Sequence, residues 1–207
     1  MENKKVDTTT EEKIKEAART IFHKKGYAAT RTRDIAEEAG INLALLNYYF
    51  RSKEKLFDII MFETVSGFFQ RMVSVLNDEH SSLDQKVEVI VSNYIDFVTK
   101  EPCIPIFILS ELRGNASGLL ERLPYKQIIF SSVFLKQYQE AVEEGEITEP
   151  NPLQFLINLL GLVIFPFIAK PLLQEVSGAN EIQFDKMMQE RKKLIPVWVK
   201  AMKKGKI

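Results

Sequence analysis

The sequence has little of the residue types that build disulfide bonds, metal sites and turn-rich folds. Its 207 residues include one cysteine, two histidines, nine glycines and eight prolines. The single cysteine, Cys103, excludes an internal disulfide bond and agrees with a reducing compartment. Long stretches in which apolar and polar residues alternate, the pattern of half-buried strands, are also missing. These absences predict an all-α protein.

Groups that carry catalytic chemistry are equally scarce. His23 and His80 lie far apart, and neither accompanies a nucleophile motif, a metal-ligand spacing or a glycine-rich phosphate loop. We therefore predict that the protein is not an enzyme and holds no metal or cofactor. Cys103 could act as a redox sensor, but no neighbouring basic residue gives a reason for a low pKa of its thiol.

The formal net charge is zero, so the charge of the whole chain does not point to a nucleic-acid partner. Its distribution is more informative, because residues 1–55 carry 12 lysines and arginines against 9 aspartates and glutamates, which leaves the remainder acidic. A mildly basic head on an acidic body suits a protein that binds a polyanion. The first residues are polar and lack the apolar core of a secretion signal, so we expect a cytoplasmic protein.

The most apolar stretch, residues 153–169, is uncharged for 17 residues. This length is at the lower limit for a membrane-spanning helix. The stretch also contains Asn158, Gly161 and Pro166, and Lys170 follows it. We interpret it as a buried helix at an oligomer interface, with a membrane-associated helix as the alternative.

Residues 30–55 predict two short helices around a tight turn, followed without a linker by a long third helix. Gly40 supplies the turn, because it can take a positive φ without a clash at Cβ. Asn42 is the predicted N-cap of the second helix, which covers residues 43–50. The long helix is predicted from Lys53 to Leu76.

The other helices follow from caps, breaks and apolar spacing. We expect N-caps at Thr9, Thr30, Ser52, Ser82 and Asn180. The predicted helices are Thr9 to Gly26, Ser82 to the residue before Pro102, Ile106 to Leu112, Leu119 to Glu144, Leu153 to Val176 with bends at Pro166 and Pro171, and Asn180 to Lys204.

In a helix-turn-helix protein the second helix enters the major groove of DNA with its N-terminal residues. Apolar side chains there can touch thymine methyl groups, and Asn47 could read adenine or contact a phosphate. Hydroxyl groups, cations and helix N-termini suit phosphate contacts. The candidate DNA-binding residues are Arg31, Thr32, Arg33, Asn42, Leu43, Ala44, Leu45, Asn47, Tyr48, Tyr49 and Lys53.

Over about residues 10–60 the sequence resembles the DNA-binding domain of the TetR family of bacterial transcriptional regulators. Four motifs carry the resemblance at the usual spacing of the family: Phe22-x-x-x-Gly26-Tyr27, Asp34-Ile35-Ala36, Ala39-Gly40-Ile41 and Tyr49-Phe50-x-Ser52-Lys53-Glu54. Asn47 departs from the pattern, since the family most often has tyrosine there, and this departure affects which operator sequence is read. Residues 61–207 match only in helix pattern and length.

The resemblance implies a DNA-binding domain over residues 1–52 and a helical effector-binding and dimerisation domain over residues 53–207. It also implies a homodimer that binds a palindromic DNA operator. A small effector that prefers one of two states would then change the separation of the DNA-binding heads, with relief of repression as the default.

The body supplies candidate residues for both implied roles. Its surplus of aromatic residues would favour an apolar or flat effector, although ordinary core packing is the better explanation for any one of them. The effector candidates are Phe69, Tyr94, Phe97, Phe107, Phe130, Phe134 and Tyr138. The family commonly pairs its last two helices across a twofold axis, and the matching interface candidates are Leu159, Leu160, Val163, Phe165, Leu194, Ile195, Trp198 and Val199.

Two other classes of function are compatible with parts of the sequence. One is a helical membrane-peripheral or protein-interaction module without DNA binding, suggested by residues 153–169. The other is a small-ligand carrier or enzyme that has kept a vestigial head.

Overall fold

The computed structural model describes residues 3–122 and 131–203. All regular secondary structure within these residues is helical, which confirms the predicted all-α class. The helices are α1 (Asn3–Ala29), α2 (Thr32–Glu38), α3 (Leu43–Tyr49), α4 (Lys53–Leu76), α5 (Leu83–Lys100), α6 (Ile104–Arg122), α7 (Val133–Glu143), α8 (Pro152–Ile168), α9 (Lys170–Ser177) and α10 (Glu181–Lys203).

The chain divides into two compact units, Met1–Val65 and Ser66–Ile207. The boundary between the two units falls inside α4, which is one continuous helix from Lys53 to Leu76. The predicted domain boundary after Ser52 stays a prediction.

The first unit contains a small hydrophobic core, to which α1, the two helices of the helix-turn-helix and the first turns of α4 contribute. Apolar side chains recur on one face of α1, and the same holds for the first turns of α4, so both helices bury a stripe. The buried residues of this core are Ile14, Ala18, Phe22, Ile35, Leu46, Phe50, Leu56 and Ile60. Full burial of one such aliphatic side chain contributes about 1.5–3 kcal/mol, so a few contacts fix the position of α3.

The second unit is built around α5, which packs against α7, α8 and α10. Residues four apart on α5, such as Val87, Val91 and Ile95, are buried in its core. Tyr138 of α7 is also buried there, and its hydroxyl donates a hydrogen bond of 2.7 Å to the carbonyl oxygen of Glu149.

Four predicted N-caps are confirmed, because each side-chain oxygen accepts a hydrogen bond from a backbone N–H three residues later. The N–H groups and acceptors are Leu45 to Asn42 (2.8 Å), Lys55 to Ser52 (3.1 Å), Gln85 to Ser82 (3.3 Å) and Gln183 to Asn180 (3.0 Å).

The predicted limits of the first two helices need correction. α1 begins at Asn3, not Thr9, since residues 3–8 contain no glycine or proline that would stop a helix. Its backbone leaves the helical conformation at Gly26 (φ 73°, ψ 165°), where the sequence predicts its end. Arg31, not Thr30, is the N-cap of α2; Thr30 is buried and its hydroxyl donates to the carbonyl oxygen of Gly26 at 2.7 Å.

The middle of the second unit also differs from the prediction. The short helix predicted to close at Gly114 is wrong, because α6 continues through Gly114 to Arg122 and includes Leu119. A helix from Leu119 to Glu144 is therefore also wrong. α7 begins at Val133, and the Ser132 hydroxyl caps it by accepting the N–H of Leu135 at 3.2 Å.

The segment from Leu153 to Val176 forms two helices where the sequence predicts one bent helix. α8 ends at Ile168 and α9 begins at Lys170, with a bend of 68° between them. By length and composition α4 could cross a membrane, and α8 with α9 could if the bent pair counted as one span. Core helices of soluble proteins share these properties, so this is weak support for a membrane role.

Candidate nucleic-acid interface and ligand cavity

α2 and α3 form the predicted helix-turn-helix. Gly40, at φ 66°, makes the bend, and its N–H donates to the carbonyl oxygen of Glu37 at 3.1 Å. The next N–H, of Ile41, reaches back to the carbonyl oxygen of Ala36 at 3.0 Å. Leu46 is completely buried on the inner face of α3. The opposite face of α3 is therefore turned to solvent.

The exposed face of α3 carries most of the predicted DNA-contacting residues. Asn42, Ala44 and Asn47 are exposed, and Leu43 is 37% exposed although it is apolar. Tyr48 is 77% exposed, so most of its ring and its hydroxyl group are available for contact. Leu45 and Tyr49 are half-buried, so less of their surface is available.

The N-terminus of α2 adds two exposed cations, Arg31 and Arg33; Thr32 between them is half-buried. The backbone N–H of Arg31 donates to the Asp34 carboxylate at 3.0 Å, and Lys25 pairs with the same carboxylate at 3.1 Å. These two interactions hold the pKa of Asp34 below its usual range. The negative charge close to the two arginines is thus already paired within the head.

Lys53 has a different environment from the other candidates. Its ammonium group donates to the carbonyl oxygens of Tyr27 (2.8 Å) and Thr30 (2.9 Å), and it lies 4.2 Å from the centre of the Tyr27 ring. The side chain is half-buried. Lys53 thus joins the first residue of α4 to the connection between α1 and α2, a role that the sequence did not suggest.

An ion-pair network around the buried Lys15 was also not predicted from the sequence. The ammonium group of Lys15, a residue only 7% exposed, lies 2.8 Å from Glu63, 3.2 Å from Glu12 and 3.3 Å from Glu11. Burial disfavours its charge, yet the hydrogen bonds to Glu63 and Glu12 raise the pKa of Lys15 above its usual range. Arg19 pairs with the same Glu63 at 3.5 Å. The spacing of residues 11, 12 and 15 was visible in the sequence, but the partner on α4 was not.

An apolar cavity lies in the second unit between α5, α6 and α8. Its volume is about 100 Å³, and among the residues that the structure describes Tyr94 is the one aromatic residue that lines it. Burial raises the pKa of Tyr94 to about 12. The other lining residues are aliphatic or proline: Val98, Ile104, Pro105, Ile108, Leu109, Leu112, Ile164 and Ile168.

The structure does not gather the predicted effector residues around one cavity. Phe97 stacks on Phe68 at 4.1 Å between ring centres, and Phe69 is half-buried beside them. Phe107 is buried. Phe134 and Tyr138 pack on Phe155, and Tyr138 lines a second cavity of about 50 Å³. Phe130 lies outside the described residues. In residues 3–122 and 131–203 no group of three acidic, histidine or cysteine side chains could hold a metal ion.

The predicted interface residues fall into two groups. Leu159, Val163, Ile195 and Val199 are at most 2% exposed within one chain, so no surface is left for a partner to cover. Their assignment to the interface is corrected: they are core residues, because the inner faces of α8 and α10 pack on α5 and on each other. The other four, Leu160, Phe165, Leu194 and Trp198, are 38–60% exposed.

Comparison with known proteins connects this geometry to a family. Residues 14–60, which include α2 and α3, match the family described as bacterial regulatory proteins, tetR family. This DNA-binding head belongs to the TetR family. The match covers the helix-turn-helix and the first turns of α4, as the resemblance in sequence implied.

Similarity to known regulators extends over nearly the whole chain. A probable HTH-type transcriptional regulator, YttP of Bacillus subtilis, is 25% identical over 205 residues, or 94% of each chain. A TetR/AcrR-family regulator from Thermobifida fusca has the same fold, with a TM-score of 0.66 and 19% identity over 90% of this chain and 96% of its own. FadR from Bacillus subtilis, solved with stearoyl-CoA, has a TM-score of 0.56 and 18% identity over 88% and 95%.

The family match of the head and these relatives make the protein a DNA-binding transcriptional regulator.

Proposed function

We propose that this regulator acts as a homodimer, binds a palindromic operator through two copies of α3, and is released by a small, largely apolar effector. In this proposal it is a repressor in the bacterial cytoplasm. The observation that carries the proposal is the exposed face of α3, where Tyr48 and the N-terminal residues of the helix stand clear of the core.

In the proposed complex α3 lies in the major groove. Leu43 contacts thymine methyl groups, and Asn47 hydrogen-bonds a base edge, while Tyr48, Arg31 and Arg33 contact phosphates. The exposure of these five side chains supports this assignment. Asn42 has a more limited role, because its side-chain oxygen already caps α3.

Dimerisation is proposed to occur through the outer faces of α8 and α10. Both helices bury one apolar stripe inside the chain and expose another, and an exposed apolar stripe on two adjacent helices is typical of a contact surface. The exposed residues of these stripes are Leu153, Ile157, Leu160, Phe165, Leu194, Val197, Trp198 and Met202. A twofold dimer would present its two α3 helices to half-sites about 34–36 Å apart.

The proposed effector carries an aliphatic chain. The described lining of the cavity is aliphatic or proline apart from Tyr94, and the fold is shared with FadR, which was solved with stearoyl-CoA. Ligand pockets usually measure about 300–1,000 Å³. A cavity of about 100 Å³ would have to expand between α5, α6 and α8, so the effector would favour a second conformation.

Tyr94 offers a contact from this cavity to α4. Its ring packs edge-on against Phe68 of α4, with 4.8 Å between ring centres. Expansion of the cavity at Tyr94 would therefore displace Phe68 and the part of α4 that carries it. The first residue of α4, Lys53, belongs to the DNA-binding head. We propose that the effector acts on DNA binding through α4.

The experiment is selection of genomic fragments by the purified protein, followed by release with long-chain acyl-CoA. The expected result is recovery of fragments that share an inverted repeat, and their loss when the ligand is added. Ile108→Trp, which fills the cavity, should keep DNA binding and lose the response to ligand. Recovery without any shared repeat would contradict the operator proposal, and full release of Ile108→Trp would contradict the placement of the effector.

A further inference from the structure

The connection between α1 and α2 sets where the helix-turn-helix begins. The backbone departs from helical geometry at Gly26, and the chain then turns through Tyr27 to Thr30 before the N-cap Arg31. Thr30 is 2% exposed, so its carbonyl oxygen can be satisfied only from within the protein.

Lys53 supplies the missing donor. The distances of 2.8 Å and 2.9 Å to the Tyr27 and Thr30 carbonyl oxygens are those of strong, charge-assisted hydrogen bonds. An ammonium group has three hydrogen atoms, and two of them are engaged here. The Tyr27 ring covers a further side of the cation.

We propose that Lys53 is a positioning residue for DNA recognition: its side chain holds the start of α2 against the start of α4 and does not neutralise a phosphate. This inference rests on the proposed DNA contacts of α2 and α3, and it replaces the phosphate contact that the sequence predicts for Lys53. The side chain fixes the connection from which Arg31 and Arg33 project.

The test compares the salt dependence of operator affinity in three variants. Lys53→Met keeps the aliphatic stem and removes the ammonium group. Arg33→Met removes an exposed cation from the proposed DNA surface. Lys55→Met is the matched control, because it removes an exposed lysine from the same turn of α4. Affinity for a recovered operator fragment is measured at several salt concentrations, at a temperature where each variant is folded by circular dichroism.

Affinity falls as the salt concentration rises, and each phosphate contact steepens this fall. Loss of one phosphate contact makes the plot of log affinity against log salt concentration less steep by about 0.9. We expect this change for Arg33→Met. Lys53→Met is expected to keep the wild-type slope and to bind about tenfold more weakly at every salt concentration, as misplacement of the helix-turn-helix requires. Lys55→Met should stay within about twofold of wild type.

Two results would overturn the proposal. A salt dependence that is less steep by about 0.9 in Lys53→Met would mean that the ammonium group of Lys53 contacts a phosphate in wild type. Wild-type affinity in a folded Lys53→Met protein, even one with a lower melting temperature, would reduce Lys53 to a purely structural role.

A second variant keeps the test decisive if Lys53→Met does not fold. Tyr27→Leu leaves the ammonium group in place and removes the ring beneath it, so it should weaken binding without changing the slope. Unchanged affinity in this variant would overturn the proposal. A wild-type protein that selects no fragment overturns the proposed function itself, and this result is visible without any variant.

Discussion

Tyr94 combines deep burial with a position in the proposed effector site and on its proposed connection to α4. Its side chain is 6% exposed, lines the apolar cavity and contacts Phe68 of α4. Burial raises the pKa of Tyr94 to about 12, because the charged phenolate would lose its hydration there. The folded protein therefore favours the neutral phenol more strongly than the unfolded chain does.

This difference predicts a pH dependence of stability. The pKa is higher in the folded state than the ordinary value of 10.0, so the contribution of Tyr94 is complete below pH 10.0 and is lost as the pH rises towards 12. Over that window the free energy of unfolding should fall by up to about 2–3 kcal/mol more in wild type than in Tyr94→Phe. Urea denaturation of both proteins at matched alkaline pH values measures it. Parallel curves for the two proteins would contradict the buried environment.

Three lysines have binding partners within the chain that could not be predicted from the sequence. Lys53 and Lys86 both bind backbone carbonyl oxygens, and Lys86 is completely buried with 2.5 Å to the carbonyl oxygen of Asp78. Lys15 binds carboxylates, one of them 48 residues away. In the sequence each looks like a surface lysine, since a carbonyl group leaves no pattern in residue types. The exposed candidates on α3 were predictable, because their position relative to Gly40 follows from the motif.

Among the helices, α3 gives the sharpest test, because Asn42 both caps it and lies at its exposed N-terminus. Asn42→Ala removes the cap and should lower the free energy of unfolding by about 1 kcal/mol. Asn42→Asp keeps a capping oxygen and should preserve stability, but its negative charge faces the DNA and should weaken operator binding about tenfold.

Melting curves and operator titrations of the two variants separate capping from DNA contact. Asn42→Asp with wild-type operator affinity would show that this end of α3 does not approach the phosphates.

Helix positions could be predicted where a local signal decides them. Asn42, Ser52, Ser82 and Asn180 cap their helices because a side-chain oxygen meets an N–H three residues later. The prediction failed where tertiary packing decides. Gly114 did not end α6, since glycine costs a helix only about 1 kcal/mol, and burial of apolar side chains elsewhere on α6 can offset that. The bend between α8 and α9 was anticipated from two prolines, but not its size.

At the scale of the whole molecule, the apolar outer faces of α8 and α10 form the proposed dimer interface. Trp198→Asp places a charge on this face, where the Trp198 side chain is 38% exposed. We expect it to convert the dimer to monomers in sedimentation velocity while the melting curve stays cooperative. Val89→Asp, at a 43% exposed position on α5, is the control and should stay dimeric.

A dimer that persists in Trp198→Asp would refute the proposed interface. Monomeric wild-type protein that binds lipid vesicles and no DNA would instead favour the membrane-peripheral alternative.

The exposed face of α3 is proposed to bind the operator, and replacement of Tyr48 probes that contact. The measurement is the affinity of wild type and Tyr48→Ala for one recovered operator duplex, with Thr20→Ala on the exposed face of α1 as control. Tyr48 is 77% exposed, so its replacement should change the free energy of unfolding by less than about 0.5 kcal/mol. We expect Tyr48→Ala to bind about tenfold more weakly than wild type, and Thr20→Ala to bind as wild type does. Equal affinity of all three proteins would contradict the proposed contact.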